Sequence, residues 1–158
     1  MKILFFLTAF FSSFLFAQDV KPIDVVDIHP SSTVKIVHDG YVISLEVKLD
    51  IKKGWHINAH TPLDAYLIPT NLLVDSSKAY SIQKTTYPPA EVVKLAFSDD
   101  QLALYLDQAI LKTTLVISKK YAGKSITING KVQYQPCNDQ TCLFPVKKPF
   151  SIDVALKK

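Results

Sequence analysis

The stretch YVISLEVKLDI, residues 41–51, alternates apolar and polar side chains along almost its whole length. Its odd positions are Tyr, Ile, Leu, Val, Leu and Ile. The even positions from 44 to 50 are Ser, Glu, Lys and Asp, and Val42 is the exception. Because successive side chains of a strand point to opposite faces of a sheet, this period predicts an antiparallel strand with one buried and one solvated face.

The same period recurs at the end of the chain, where Phe150, Ile152, Val154 and Leu156 alternate with mostly polar residues. Turn signals such as Asp39-Gly40 and Pro88-Pro89 divide the rest of the sequence into short segments. Further strands are predicted near 33–38, 54–60, 70–75, 81–86, 109–118 and 125–136. Seven to nine short strands with almost no helical period predict an all-β fold, an immunoglobulin-like antiparallel β-sandwich.

One helical element is also predicted, a short turn around 98–104. Asp99 and Asp100 lie at its start and are residue types that cap a helix amino terminus.

The first residues, MKILFFLTAFFSSFLFAQDV, predict export. Lys2 precedes an apolar run that ends at Ala17, which is the order of regions in a secretory signal peptide. The alternative, a membrane anchor, needs roughly 20 apolar residues, more than this run supplies. We therefore expect a signal peptide over residues 1–17 and a single domain over residues 18–158, soluble in the periplasm.

The charge pattern argues against nucleic-acid binding. All 18 basic residues are lysines, and they are scattered among 14 acidic residues. Arginine, whose planar fork suits phosphate and guanine recognition, does not occur in the sequence.

Both cysteines lie in VQYQPCNDQTCLFP, residues 132–145, as Cys137 and Cys142. A disulfide here closes a loop of six residues, which stabilises a fold by about 2 kcal/mol, against roughly 4.5 kcal/mol for a loop spanning most of the domain. The polar turn between the cysteines predicts a hairpin that brings them opposite each other at the end of strand 125–136. By strand parity Cys137 shares a face with Gln133 and Gln135, within reach of a second thiol. The pair is thus either a structural bridge in a binding or scaffold module or a bond that exchanges.

A metal site is a third interpretation of the cysteines. His56 and His60 of GWHINAH could join Cys137 and Cys142 as two imidazole and two thiolate ligands, with spacings that zinc sites use. Thiols of an exported protein tend to oxidise, and the histidines lie in a predicted strand, so we favour redox chemistry without a metal.

The residues around the cysteines resemble a known family. YQPCNDQTCLFP resembles the YQ-x-C…C-x-x-P signature of the amino-terminal domain of the thiol:disulfide interchange protein DsbD. GWHINAHTPLDAYLIPTNLLV and YPPAEVVKLAFSDDQLALYLDQAILKTTLVIS are similar to looser stretches of the same family. Together the three stretches cover roughly residues 30–156.

This resemblance implies an immunoglobulin-like sandwich with a redox-active cysteine pair and no bound cofactor. It implies that Cys142 forms the mixed disulfide with partners and that Cys137 is the resolving thiol. The implied partners are thioredoxin-fold proteins of the disulfide isomerase or cytochrome c maturation type, and the implied electron donor is a membrane or thioredoxin-like protein.

The resemblance also suggests residues that tune the pair. Phe97 falls where the family has an aromatic cap over the disulfide, although a core aromatic is an equal alternative. Asp99 and Asp100 would raise the pKa values of nearby thiols by charge repulsion. His56 and Asn58 fall where the family places tyrosines facing the cysteines, and Tyr134 belongs to the cysteine signature. His56 could deprotonate a thiol, or it could be a structural histidine.

Three features depart from the family pattern. The cysteines are separated by four residues, one fewer than in the best-known members, and Leu143-Phe144-Pro145 replaces the usual continuation. The membrane and thioredoxin-like domains are absent from this sequence, so we expect a stand-alone exported protein that receives electrons from a separate one.

Overall fold

The computed structural model describes residues 20–95 and 100–156. Within them the chain forms one 3-10 turn, Pro22–Asp24, and eleven strands. The strands are β1 (Val26–Val37), β2 (Gly40–Ile51), β3 (His56–Asn58), β4 (Asn71–Val74), β5 (Ser81–Thr86), β6 (Glu91–Lys94), β7 (Gln101–Leu106), β8 (Gln108–Ser118), β9 (Ser125–Tyr134), β10 (Pro136–Cys137) and β11 (Val146–Ala155).

The alternating stretch forms β2, one of the two inner strands of a sheet with the order β1-β2-β8-β5. Its apolar positions Ile43, Leu45, Val47 and Leu49 are completely buried. Because β2 pairs along its length with β1 and β8, its backbone polar groups are used in two ladders while its apolar face enters the core.

Two further sheets complete the domain, with the orders β10-β3-β7-β6 and β11-β9-β4. All strand pairs are antiparallel. The buried side chains of the three sheets form one hydrophobic cluster, which includes Leu45 of β2, Tyr105 of β7 and Ile128 of β9. The predicted all-β antiparallel sandwich is confirmed.

At two of its changes of sheet the chain has a single residue between consecutive strands. Asp107, with a positive φ of 48°, separates β7 from β8, and its carbonyl accepts the N–H of Ile51 at 2.7 Å. Gln135 separates β9 from β10, so that the residues after it pair with β3 instead of β4 and β11. This second change of sheet positions the first cysteine.

Three sequence predictions need correction. Residues 101–106 form strand β7 rather than a helical turn, because β7 pairs with both β3 and β6 and buries Ala103, Leu104 and Tyr105 consecutively. The strand predicted to run to residue 136 ends at Tyr134. The first strand starts at Val26, well before the predicted residue 33.

The amino-terminal residues 1–19, where the signal peptide is predicted, lie outside the described residues. In the part of the chain that the structure does describe, no helix is long and apolar enough to cross a membrane.

Candidate functional site

The two cysteines lie in a hairpin that follows the change of sheet at Gln135. Cys137 ends β10 and is the cross-strand partner of His56 in β3. Cys142 faces Cys137 through an isolated antiparallel bridge. Their sulfur atoms form a disulfide, and their Cα atoms are 4.0 Å apart. The prediction that a hairpin brings the cysteines opposite each other is confirmed.

The two cysteines differ in their access to solvent. Cys137 is 2 % exposed, whereas Cys142 is in the exposed class. The difference arises because β10 packs Cys137 against β3, while Cys142 lies on the outer arm of the hairpin. A second thiol approaching from solvent therefore reaches Cys142.

His56 is the titratable side chain beside the buried cysteine. It is 4 % exposed, and this burial lowers the pKa of the imidazole below its ordinary value of 6.5, although the charge of Asp139 opposes part of the shift. The ring is therefore neutral at pH 7. Directly opposite residues of an antiparallel pair have Cβ atoms about 5 Å apart, so the side chains of His56 and Cys137 are neighbours on one face of the sheet.

A pair of side-chain amides connects the hairpin to its surroundings. Asn58 is 1 % exposed. Its Nδ2 donates to the Ile68 carbonyl at 3.1 Å and lies 3.5 Å from Oε1 of Gln135. Gln135 Nε2 in turn donates to the carbonyl of Leu143 at 3.3 Å. These bonds tie β3, the loop before β4 and the chain after Cys142 to one another.

A cleft of about 1030 Å³ adjoins the disulfide, and both cysteines line it. The loop between β3 and β4 contributes Leu63 and Leu67, while Lys94 lies at the end of β6. Asp100, one of the predicted acidic residues, lines the same cleft. The cleft thus combines apolar side chains with charges of both signs.

The other predicted residues of the site are Phe97, Asp99 and Tyr134. Phe97 and Asp99 lie outside the described residues, and their roles as cap and acid stay predictions. Tyr134 is completely buried in β9, and its hydroxyl donates to the Ile23 carbonyl at 3.2 Å. Burial raises its pKa above the ordinary value of 10.0. Its hydrogen bond joins the amino-terminal turn to the core.

His60 does not join the cysteines. Its ring stacks on Tyr87 with centroids 3.6 Å apart, and its Nδ1 lies 3.1 Å from the Thr70 carbonyl. Among residues 20–95 and 100–156, no group of three or more His, Cys, Asp or Glu side chains is placed to hold a metal ion. The structure therefore does not assemble the four-ligand set of Cys137, Cys142, His56 and His60.

Comparison with known proteins places this architecture in a family. The family model described as the amino-terminal domain of the thiol:disulfide interchange protein DsbD matches residues 27–153. The chain belongs to this family. No curated protein gives a significant match to the chain.

Two solved structures have a similar fold. The reduced form of the DsbD amino-terminal domain of Neisseria meningitidis is 15 % identical, with a TM-score of 0.52 over 86 % of this chain and 90 % of that one. The amino-terminal periplasmic domain of ScsB from Proteus mirabilis is 12 % identical, with a TM-score of 0.54 over 84 % of this chain and 47 % of that one. The immunoglobulin-like sandwich predicted from the sequence is the fold of this DsbD-type domain.

Two residues of the site are not among the candidate site residues predicted from the sequence. Gln135, which belongs to the cysteine signature and to a predicted strand face, marks the change of sheet and donates to the Leu143 carbonyl. Asn138 belongs to the predicted polar turn, and its Oδ1 accepts the N–H groups of Gln140 and Thr141, both at 2.9 Å. The signal available was the Asn at the first turn position, since Asn commonly bonds the backbone two residues on.

Proposed function

We propose that this domain exchanges disulfides with thioredoxin-fold proteins through Cys137 and Cys142. The observation that carries the proposal is the unequal burial of one disulfide, in which an exposed Cys142 is bonded to an almost fully buried Cys137. A structural bridge does not require that one of its cysteines be exposed. An exchanging pair needs one sulfur that partners reach and one that they do not.

The proposed reaction runs in two displacements. The Cys142 thiolate attacks the partner disulfide, forms a mixed disulfide and releases one partner thiolate, which takes up a proton. The Cys137 thiolate then attacks Cys142 Sγ and releases the second partner thiolate. The partner gains two electrons and two protons, and the domain ends as its own disulfide. A donor dithiol restores the reduced pair by the same steps in reverse.

His56 fits the second displacement. Its neutral imidazole lies on the strand beside Cys137 and can take the proton that the resolving thiol must lose. Asn58 is the predicted neighbour on the same strand face, and its bond to the Ile68 carbonyl fixes the wall of the cleft.

The partner surface is proposed to be the apolar rim of the disulfide, defined as Leu63 and Phe144. Phe144, two residues after Cys142, is 85 % exposed, and Leu63 of the cleft is 59 % exposed. Large apolar side chains left in solvent beside a reactive bond are typical of a docking surface, where aromatic anchors contribute most of the binding energy.

We further propose that residues 1–17 direct the domain to the periplasm. There a membrane or thioredoxin-like protein would supply electrons, and disulfide isomerases or cytochrome c maturation proteins would receive them. Family membership supports this assignment of partners, which rests on the properties of the family rather than on contacts in the structure.

Trapping tests the proposal. A Cys137→Ala protein lacks the resolving thiol, so it should accumulate a mixed disulfide through Cys142 when mixed with an oxidised thioredoxin-fold protein. The matched Cys142→Ala protein, whose remaining thiol is buried, should form little adduct. Non-reducing electrophoresis and mass spectrometry measure both adducts. The proposal fails if neither variant forms one, and the order of the two cysteines fails if Cys142→Ala forms more.

A further inference from the structure

The hairpin between the cysteines is closed by hydrogen bonds that do not involve sulfur. The Leu143 N–H donates to the Pro136 carbonyl at 2.8 Å, just outside the disulfide, and the Asn138 N–H donates to the Thr141 carbonyl at 2.9 Å, just inside it. These two bonds bracket the cysteine pair. The closed shape of the loop thus has a source of stability other than the bond between the sulfur atoms.

Asn138 is the centre of the inner set. Besides its backbone N–H, its side-chain Oδ1 accepts the N–H groups of Gln140 and Thr141, each at 2.9 Å. One residue thus makes three hydrogen bonds across the four positions that separate the cysteines. Gln140 takes part only through its backbone in these bonds, so its side chain can be removed without deleting any of them.

We propose that Asn138 is a positioning residue for the cysteine pair, which holds Cys142 opposite Cys137 while the two sulfurs are not bonded. Its role in partner reactions rests on the proposed function, whereas its effect on closure of the disulfide does not. The residue acts through the backbone of the loop and touches neither sulfur in the contacts described above.

The physical reason is that the disulfide and the hydrogen bonds to Asn138 favour the same closed shape of the loop. Forming the disulfide requires the closed loop, and the bonds to Asn138 exist only in the closed loop. In the oxidised protein the covalent bond holds the loop closed with or without Asn138. In the dithiol protein the loop gains conformational entropy when it opens, and the hydrogen bonds to Asn138 stabilise the closed loop against that opening. Removing them therefore destabilises the oxidised form more than the reduced form, which can open.

The consequence for exchange concerns the second displacement. After Cys142 has bonded to a partner, the Cys137 thiolate must attack Cys142 Sγ and expel the partner as a thiolate. An open loop moves that sulfur away from its attacker. Asn138 therefore shortens the life of the mixed disulfide by keeping the two sulfurs at reacting distance.

The test is the equilibrium of the whole domain with reduced and oxidised glutathione, for the wild type, Asn138→Ala, Asn138→Asp and Gln140→Ala. It is run at pH 6.5, about two units below the ordinary thiol pKa of 8.5, where the charge of Asp has little effect on protonated thiols. Asparagine or aspartate replaced by alanine at comparable capping positions costs about 1 kcal/mol, or about fivefold in an equilibrium constant. Circular dichroism of the oxidised variants verifies the fold.

We expect Asn138→Ala to lower the effective concentration of the cysteine pair about fivefold, which makes the reduction potential about 20 mV less negative at 29.6 mV per tenfold. Asn138→Asp retains the acceptor and should stay within about twofold of the wild type. Gln140→Ala should match the wild type. The proposal is overturned if a folded Asn138→Ala protein keeps the wild-type value, or if Asn138→Asp falls as far as Asn138→Ala. Because glutathione replaces the protein partner, failure of the trapping experiment would leave this result unaffected.

Discussion

Reduction of the disulfide should leave the sandwich folded. The bond between Cys137 and Cys142 closes a loop of six residues, and chain entropy assigns such a loop about 2 kcal/mol of stability. The hydrogen bonds at Pro136 and Asn138 already restrict the same loop. We therefore expect the reduced protein to lose about 2 kcal/mol or less of its free energy of unfolding.

Urea denaturation of the oxidised and reduced protein measures this difference. The reduced protein should unfold at a lower midpoint with an unchanged m-value, since the loop adds little to the surface that unfolding exposes. A Cys137→Ser, Cys142→Ser protein serves as the control for residual oxidant. A loss above about 4 kcal/mol, or unfolding on reduction, would contradict this prediction, because the fold would then depend on the disulfide.

Three further predictions concern single side chains. His56 is buried with a lowered pKa, so as the pH falls through 6.5 the unfolded chain protonates this imidazole before the folded protein does. The wild type should therefore lose stability by up to about 1.4 kcal/mol per pH unit below 6.5. Denaturation at pH 7.5 and 5.5 should show a smaller loss for His56→Gln, and an equal loss in both proteins contradicts the prediction. Phe144→Ala should slow the reaction with a protein partner about fivefold and leave the rate of reaction with glutathione unchanged. Ile36 is an exposed apolar residue on a separate cleft, so Ile36→Ala should change neither rate. Equal slowing by both variants contradicts the proposed apolar rim. Tyr134→Phe removes the bond to the Ile23 carbonyl and should cost about 1 kcal/mol in urea denaturation without moving the reduction potential; a moved potential would give Tyr134 a role in tuning.

The alternation of apolar and polar residues predicted strands with one buried and one less buried face. It did not predict β7, which is buried on both faces. In β2 buried and less buried residues alternate, so the period is visible in the sequence. In β7 three consecutive residues are buried, because the strand lies inside its sheet and is covered on both faces. Asp99 and Asp100 before it resembled a helix cap, and that local signal was overridden by strand pairing.

The cysteine hairpin and the neighbouring candidate residues were predictable from the sequence, but their spatial arrangement was not. The cysteine hairpin followed from a polar turn of four residues, and His56 and Asn58 followed from the family resemblance. The pairing of Cys137 with His56 depends on the chain leaving one sheet at Gln135 and entering another. The local sequence does not show which sheet the chain enters after Gln135. The same tertiary placement separates His60 from the cysteines, although His60 is only four residues from His56.

The reduction potential of the Cys137–Cys142 bond decides whether the disulfide exchanges, because a bond that exchanges and a bond that only stabilises the fold differ in this quantity. Equilibration of the wild-type domain with a glutathione or dithiothreitol couple, followed by alkylation and mass spectrometry, gives the value. We predict a potential near or above about −270 mV, in the range of thioredoxin-type exchange proteins. A value below about −300 mV would contradict it and identify the bridge as structural.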